Sequence, residues 1–142
     1  MKYQITFIID EKLNKVAQLY IDKKQMSQWE TGLTRIEEIK GNLFDTGSEG
    51  HLVFVHNNEE IKMKIYVESN QLPKAIVIIY QMPGAWNRCI STFKKVDSKT
   101  EWQMDVEFRF NAPQEIGLEK FIEQTSKGMQ KFKDFVEKHQ SI

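Results

Sequence analysis

Between residues 101 and 110 apolar and polar side chains alternate without a break. Trp102, Met104, Val106, Phe108 and Phe110 interleave with Glu101, Gln103, Asp105, Glu107 and Arg109, the period of a half-buried strand. Soon afterwards the period changes. Leu118, Phe121, Ile122, Thr125, Met129, Phe132 and Val136 recur at steps of about three and four, which predicts an amphipathic helix over 115–138. Burying the five large strand side chains contributes on the order of 10 kcal/mol gross, at ~1.5–3 kcal/mol each. The strand cannot leave that face in water, so the helix is expected to lie across a sheet. At ~1.5 Å per residue it would span about 33–36 Å, enough to cross seven strands diagonally.

The rest of the chain reads as strands and tight turns with a helical insert near the start. Residues 2–9 predict a first strand with Tyr3, Ile5 and Phe7 on one face. Asp10 offers an N-cap for a short helix over 11–22, where Leu13, Val16, Ala17 and Tyr20 share a face. Residues 23–31 predict one or two further helical turns carrying Met26 and Trp29, ended by Gly32. Strands are then expected at 35–41, 51–56, 60–68, 74–82 and 86–96, ahead of the final one. Asn57-Asn58 is a hairpin turn because asparagine tolerates positive φ, and Pro83-Gly84 and Asp97-Ser98-Lys99 mark two more turns. Short strands joined by short loops are most economically antiparallel, with one face wet and the other covered.

Composition narrows the function classes. A chain of 142 residues with no repeat, low-complexity tract or linker predicts a single domain over 1–142. Twenty basic and twenty acidic residues cancel, so the basic excess of a phosphate-binding nucleic-acid partner is absent. Cys89 is the only cysteine, which rules out an intrachain disulfide and suits a reducing compartment. The apolar run 5–9, cut off by Asp10, is shorter than a secretory signal core, and no segment approaches the ~20 apolar residues that span a bilayer. A cytoplasmic location without membrane insertion is expected.

Strand, two short helices, six strands and a long terminal helix is an order that resembles the helix-grip fold of the SRPBCC superfamily. That superfamily includes START lipid-transfer domains, birch-pollen-allergen-type proteins and polyketide cyclases. Trp29-Glu30-Thr31-Gly32-Leu33 resembles its passage from second helix to second strand, and Gly47 and Gly50 match its glycine-bearing turn. Gly84-Ala85-Trp86-Asn87, Thr100-Glu101-Trp102, Glu107-Phe108-Arg109-Phe110 and the closing segment 131–137 are similar to segments of small bacterial members. The resemblance covers nearly the whole chain. It implies an α+β helix-grip fold, a curved seven-stranded antiparallel sheet wrapped around a long C-terminal helix, with two short helices after strand 1.

It also implies a cavity between sheet and helix for an apolar or amphipathic small molecule, in a monomer or homodimer that needs no cofactor. Met63, Met82, Met104 and Met129 fall on the expected inward faces, where flexible thioethers suit a pocket of loose specificity. Tyr80, Asn87, Cys89, Ser91 and Thr125 would add polar contacts. With Phe108 and Phe121 beside them, the candidate ligand-binding set is Met63, Tyr80, Met82, Asn87, Cys89, Met104, Phe108, Phe121, Thr125 and Met129. The competing reading of the methionines is plain core filling.

Other chemistry finds little support. His51 and His56, five apart on one strand, face opposite sides and cannot share a metal, and His139 stands near the chain end. Cys89 reads as a small buried hydrophobe rather than a nucleophile. Glu101, Asp105 and Glu107 form a wet row rather than an acid–base pair. The glycines of 47–50 lack the lysine and helix of a phosphate loop. If Asn87, Cys89, Ser91 and Phe93 point inward, Trp86 and Arg88 point outward; a one-residue slip would bring the arginine inside. No catalytic residue is assigned. An enzyme of the cyclase, aromatase or hydratase kind would need a buried titratable group, for which Tyr80 is the candidate. A third possibility, a protein-interaction module like the Hsp90-activator homologues, would need an exposed apolar patch, and Val77 and Ile79 are expected on the outer face.

Overall fold

The computed structural model describes residues 1–138; His139 lies outside the described residues. Strand β1 (Lys2–Ile9) leads into helix α1 (Leu13–Tyr20) and a single 3-10 turn (Met26–Gln28). There follow β2 (Leu33–Lys40), β3 (Glu49–His56), β4 (Glu59–Gln71), β5 (Ala75–Met82), β6 (Ala85–Val96), β7 (Lys99–Phe110) and helix α2 (Leu118–Lys138). The seven strands form one sheet in the order β1-β7-β6-β5-β4-β3-β2, every neighbouring pair antiparallel. This is the curved sheet and long terminal helix of the helix-grip fold.

Turn chemistry explains the hairpins. Asn57 and Asn58 adopt φ of 51° and 64°, the paired positive angles of a two-residue hairpin whose twist matches its strands. Gly84, at φ 81°, follows Pro83 in the β5–β6 turn. Gly50 serves a different purpose. A Cβ there would lie 2.5 Å from the Glu37 carbonyl oxygen, so only glycine lets β2 approach β3 where their register shifts after Glu38.

Strand ends shift by a few residues, β4 running to Gln71 rather than 68; three other boundaries differ, each for a local reason. Asp10 does not cap α1: its backbone N–H donates to Glu137 Oε2 at 2.9 Å, and the helix begins after Lys12 without a side-chain cap. The second helical segment is one 3-10 turn. The terminal helix starts at Leu118 rather than near 115, after the exposed stretch 111–117 with Pro113 and Gly117. Leu118, assigned to the helix's apolar face, is 43% exposed; Phe121, one turn on, is the first side chain the helix buries against the sheet.

The core is densest where α1, the 3-10 turn and the middle of α2 meet the sheet. Phe132 is fully buried and makes edge contacts with Tyr20, Trp29 and Trp102, ring centroids 4.7–5.2 Å apart. Tyr20 also meets Phe93 and Trp102 edge-on. Such pairs are worth roughly 0.5–1.5 kcal/mol each beyond area burial. Ser91 takes two of the polar tips: its Oγ lies 3.1 Å from the Tyr20 hydroxyl and accepts from Trp102 Nε1 at 3.1 Å.

Candidate functional site

Strand register decides which side chains look toward α2. Tyr3, Ile5 and Phe7 on β1 stand opposite Val106, Met104 and Trp102 on β7. Across β7 and β6, Phe108 faces Asn87, Val106 faces Cys89, and Met104 faces Ser91. The row continues through Tyr80 and Ile78 on β5 to Ile65 and Val67 on β4, and Met63 pairs with Leu52 on β3. Trp86 and Arg88 therefore lie on the convex face. There the Arg88 guanidinium binds Glu68 through two bonds of 3.0 and 2.7 Å, and the Arg109 guanidinium sits 4.5 Å from the Trp86 ring centre.

The inner face is not uniformly closed. Ile76, Ile78, Val67, Phe93 and Trp102 are buried, but Met63, Tyr80, Asn87, Met104 and Phe108 keep partial exposure. These five sit on the concave side of interior strands, where the sheet shields them from water on its other face. Tyr80 among them is only half-buried.

The expected residues divide between the sheet and α2. Asn87, Cys89, Met104, Phe108 and Tyr80 occupy adjoining inner positions of β5–β7, and Met63 stands on β4. Phe121 and Thr125 face them from α2: the Phe121 ring lies 5.2 Å from Phe108 and 5.5 Å from Phe110. The Tyr3 hydroxyl lies 2.6 Å from Thr125 Oγ1 and donates to the Phe121 carbonyl at 3.3 Å. Met129 lies deeper, 1% exposed within the dense core, and Met82 stands at the β5 end, 36% exposed.

Burial sets the electrostatics. Desolvation pushes the Tyr80 hydroxyl well above its ordinary pKa, so it stays protonated and can donate a hydrogen bond. Burial likewise pushes the Cys89 thiol up to about 12, with a bond to Asn87 Oδ1 working the other way. A thiol so placed is inert at neutral pH. The residue overlooked in the sequence is Glu30. Its backbone N–H donates to the Met26 carbonyl at 2.9 Å and its carbonyl accepts from Leu33 N–H at 3.1 Å. Desolvation pushes its carboxyl up to about 7 against the opposing attraction of Lys131.

Two depressions on the outer surface lie elsewhere. One of about 1080 Å³ is walled by residues of 10–18 and 95–99, with four lysines against Asp10, Glu11 and Asp97. Another of about 340 Å³ lies beside the 3-10 turn and β2. Neither contains any of the ten expected residues. Among the described residues no cluster of His, Cys, Asp and Glu could hold a metal, and no helix is long and apolar enough to cross a membrane.

Together the sheet order and the long terminal helix define the chain's class: it has the helix-grip fold of Bet v 1-like and SRPBCC proteins, as its sequence resemblance implied. No protein-family profile and no curated protein match it in sequence. Solved structures do match in shape. Ara h 8.0201 superimposes with a TM-score of 0.82 at 10% identity, covering 98% of this chain and 99% of its own. MLL2253 from Mesorhizobium loti gives 0.79 at 8% identity, covering 99% and 100%. DynU16, from the dynemicin biosynthetic locus, gives 0.74 at 10% identity, with 96% of this chain spanning 47% of that one. At such identities the likeness concerns the fold alone.

Proposed function

We propose that this protein binds a hydrophobic or amphipathic small molecule in the recess between the sheet and α2. The observation that carries the reading is the partial exposure of Met63, Tyr80, Asn87, Met104 and Phe108 on the concave side of interior strands. A protein whose only task was to be stable would gain by filling that space, since unfilled volume forfeits dispersion contacts. The lining is mixed, with aromatic and thioether surface plus the Asn87 amide and the Tyr80 hydroxyl, as expected of a small-molecule pocket.

Titration with the neutral fluorophore N-phenyl-1-naphthylamine tests this. The wild type should give saturable enhancement, and Met104→Trp, which fills the middle of the recess, should lower the affinity at least ten-fold while keeping the fold. No saturable signal from the wild type would refute the reading. Catalysis in the same recess is the second reading, favoured by the interior position of Tyr80. Its raised pKa suits it to donate a proton or hydrogen bond and not to act as a base.

A further inference from the structure

We propose that Tyr80 and Asn87 form the polar end of the recess and together select a ligand that presents an uncharged acceptor oxygen, as a ketone does. The pair, which presupposes the recess proposed above, disfavours ligands ending in a carboxylate or an ammonium.

Register brings the two side chains together. Asn87 on β6 stands directly opposite Tyr80 on β5 and, on its other side, Phe108 on β7. Cross-strand neighbours of this kind hold their Cβ atoms ~4.5–5.5 Å apart. Amide and phenol therefore leave the sheet side by side, on the face where Phe108 meets Phe121 of α2. The next inward row, Val106, Cys89, Ile78 and Val67, is buried throughout, whereas Phe108, Asn87 and Tyr80 are half-buried. The pair stands where the filled core gives way to open space.

Hydrogen bonding sets these two apart from their neighbours. The other inward hydroxyls of β1, β6 and β7 are engaged: Tyr3 with Thr125, Ser91 with Tyr20 and Trp102, and Thr100 with the Glu11 carbonyl. Among the described residues the Tyr80 hydroxyl has no hydrogen-bond partner. The Asn87 amide accepts only the Cys89 thiol, on Oδ1 at 3.5 Å, and its Nδ2 donates to nothing. Neither atom is sealed in, since Trp29 Nε1 is the one buried side-chain polar atom without a partner among those residues. Two donors from adjoining strands thus reach open space on the inner face.

Charge decides the head group. On the inward rows of β5, β6 and β7 the only charged side chain is Lys95, exposed at the far end of β6. Arg88, the cation that a one-residue slip would have brought inside, is bound to Glu68 on the convex face. A carboxylate or an ammonium brought to the pair would exchange water for neutral groups alone, which costs far more than it does for an uncharged oxygen. An ammonium would also set its own donors against the Asn87 and Tyr80 donors.

Competition against N-phenyl-1-naphthylamine at pH 7.5 tests the proposal with four probes of one shape: 2-acetylnaphthalene, 2-isopropenylnaphthalene, 2-naphthoate and 1-(2-naphthyl)ethylamine. The wild type should bind the ketone at least ten-fold more tightly than the other three, about 1.4 kcal/mol and within the net worth of two hydrogen bonds. Tyr80→Phe combined with Asn87→Leu should bring the ketone down to the olefin while the olefin holds within three-fold, which also reports that the variant keeps its recess. The carbonyl stretch of the bound ketone should lie lower in the wild type than in this variant. Should the double variant lose the olefin too, Tyr80→Phe alone decides: the ketone should weaken at least three-fold and the olefin hold, and an unchanged ketone overturns the pair. A ketone bound no better than the olefin, a preference for the carboxylate or the amine, a ketone preference that survives the double variant, or an unshifted carbonyl stretch would overturn the polar end and leave the recess standing. So would failure of all four probes to displace a dye that binds. A dye that does not bind the wild type would remove the recess and the pair with it.

Discussion

Replacing Glu30 by glutamine keeps the shape of the side chain and removes one titration, so its effect on stability can be worked out in advance. In the native protein burial raises this carboxyl from an ordinary 4.5 to about 7. Below pH 4.5 native and unfolded chains both hold the proton, and the group contributes no pH dependence. Between the two values the native chain keeps a proton that the unfolded chain has released. Unfolding free energy therefore falls as pH rises, by about 1.4 kcal/mol for each pH unit. Above pH 7 both states are ionised and the whole penalty, roughly 3 kcal/mol, is in place. Carboxylates held low by basic neighbours, such as Glu37, Glu60 and Glu68, lose stability on the acid side in both proteins, and that part cancels on subtraction. Urea unfolding from pH 4 to 8.5 should show the glutamine variant gaining about 3 kcal/mol over the wild type across this range. At alkaline pH that is a melting difference on the order of 10 °C. A difference that stays flat to within about 0.5 kcal/mol would mean that the carboxylate is hydrated and titrates near its ordinary value.

Three further outcomes are expected. Phe132→Ala removes the ring on which Tyr20, Trp29 and Trp102 converge, and should cost about 3–5 kcal/mol in chemical denaturation. Asn58→Gly, at φ 64° in the β3–β4 turn, should leave the fold intact and stabilise it by a few tenths to about 1 kcal/mol, read as a shift in the urea midpoint. The Cys89 thiol, buried and with its pKa pushed up to about 12, should react with a disulfide reagent at pH 8 only at the rate of opening, and promptly in denaturant. Fast stoichiometric labelling of the native protein would contradict its placement.

Local pattern carried the architecture far because each strand repeats one instruction several times. Five alternating residues in β7 outvote any single exception, and Asn57-Asn58 specifies its turn through backbone angles alone. Boundaries were less legible where two local rules compete. Asp10 has the chemistry of a cap, but it stands at the end of β1, where the main chain is held by Glu137 from the far end of α2. No short window contains that partner. The candidate site was legible only in outline. Alternation placed Asn87, Cys89 and Met104 inward, and register confirms those positions, but whether a side chain touches neighbours or empty space depends on how tightly the sheet curls. Met129 shows the limit: its spacing is that of its helix-mates, and depth alone separates it from Thr125. Glu30 was missed because a single acid in a short connecting segment looks like solvent-facing charge.

The chain's three tryptophans fall in three different settings. Trp102 is sealed in the core with its N–H on Ser91, Trp86 lies outside beneath Arg109, and Trp29 adjoins Glu30 with a buried indole N–H that has no acceptor among the described residues. The molecule therefore carries its own optical gauge. Emission from the indole beside the acid should change colour as that acid loses its proton, while the other two supply a constant background, so its ionisation can be followed without attaching a dye.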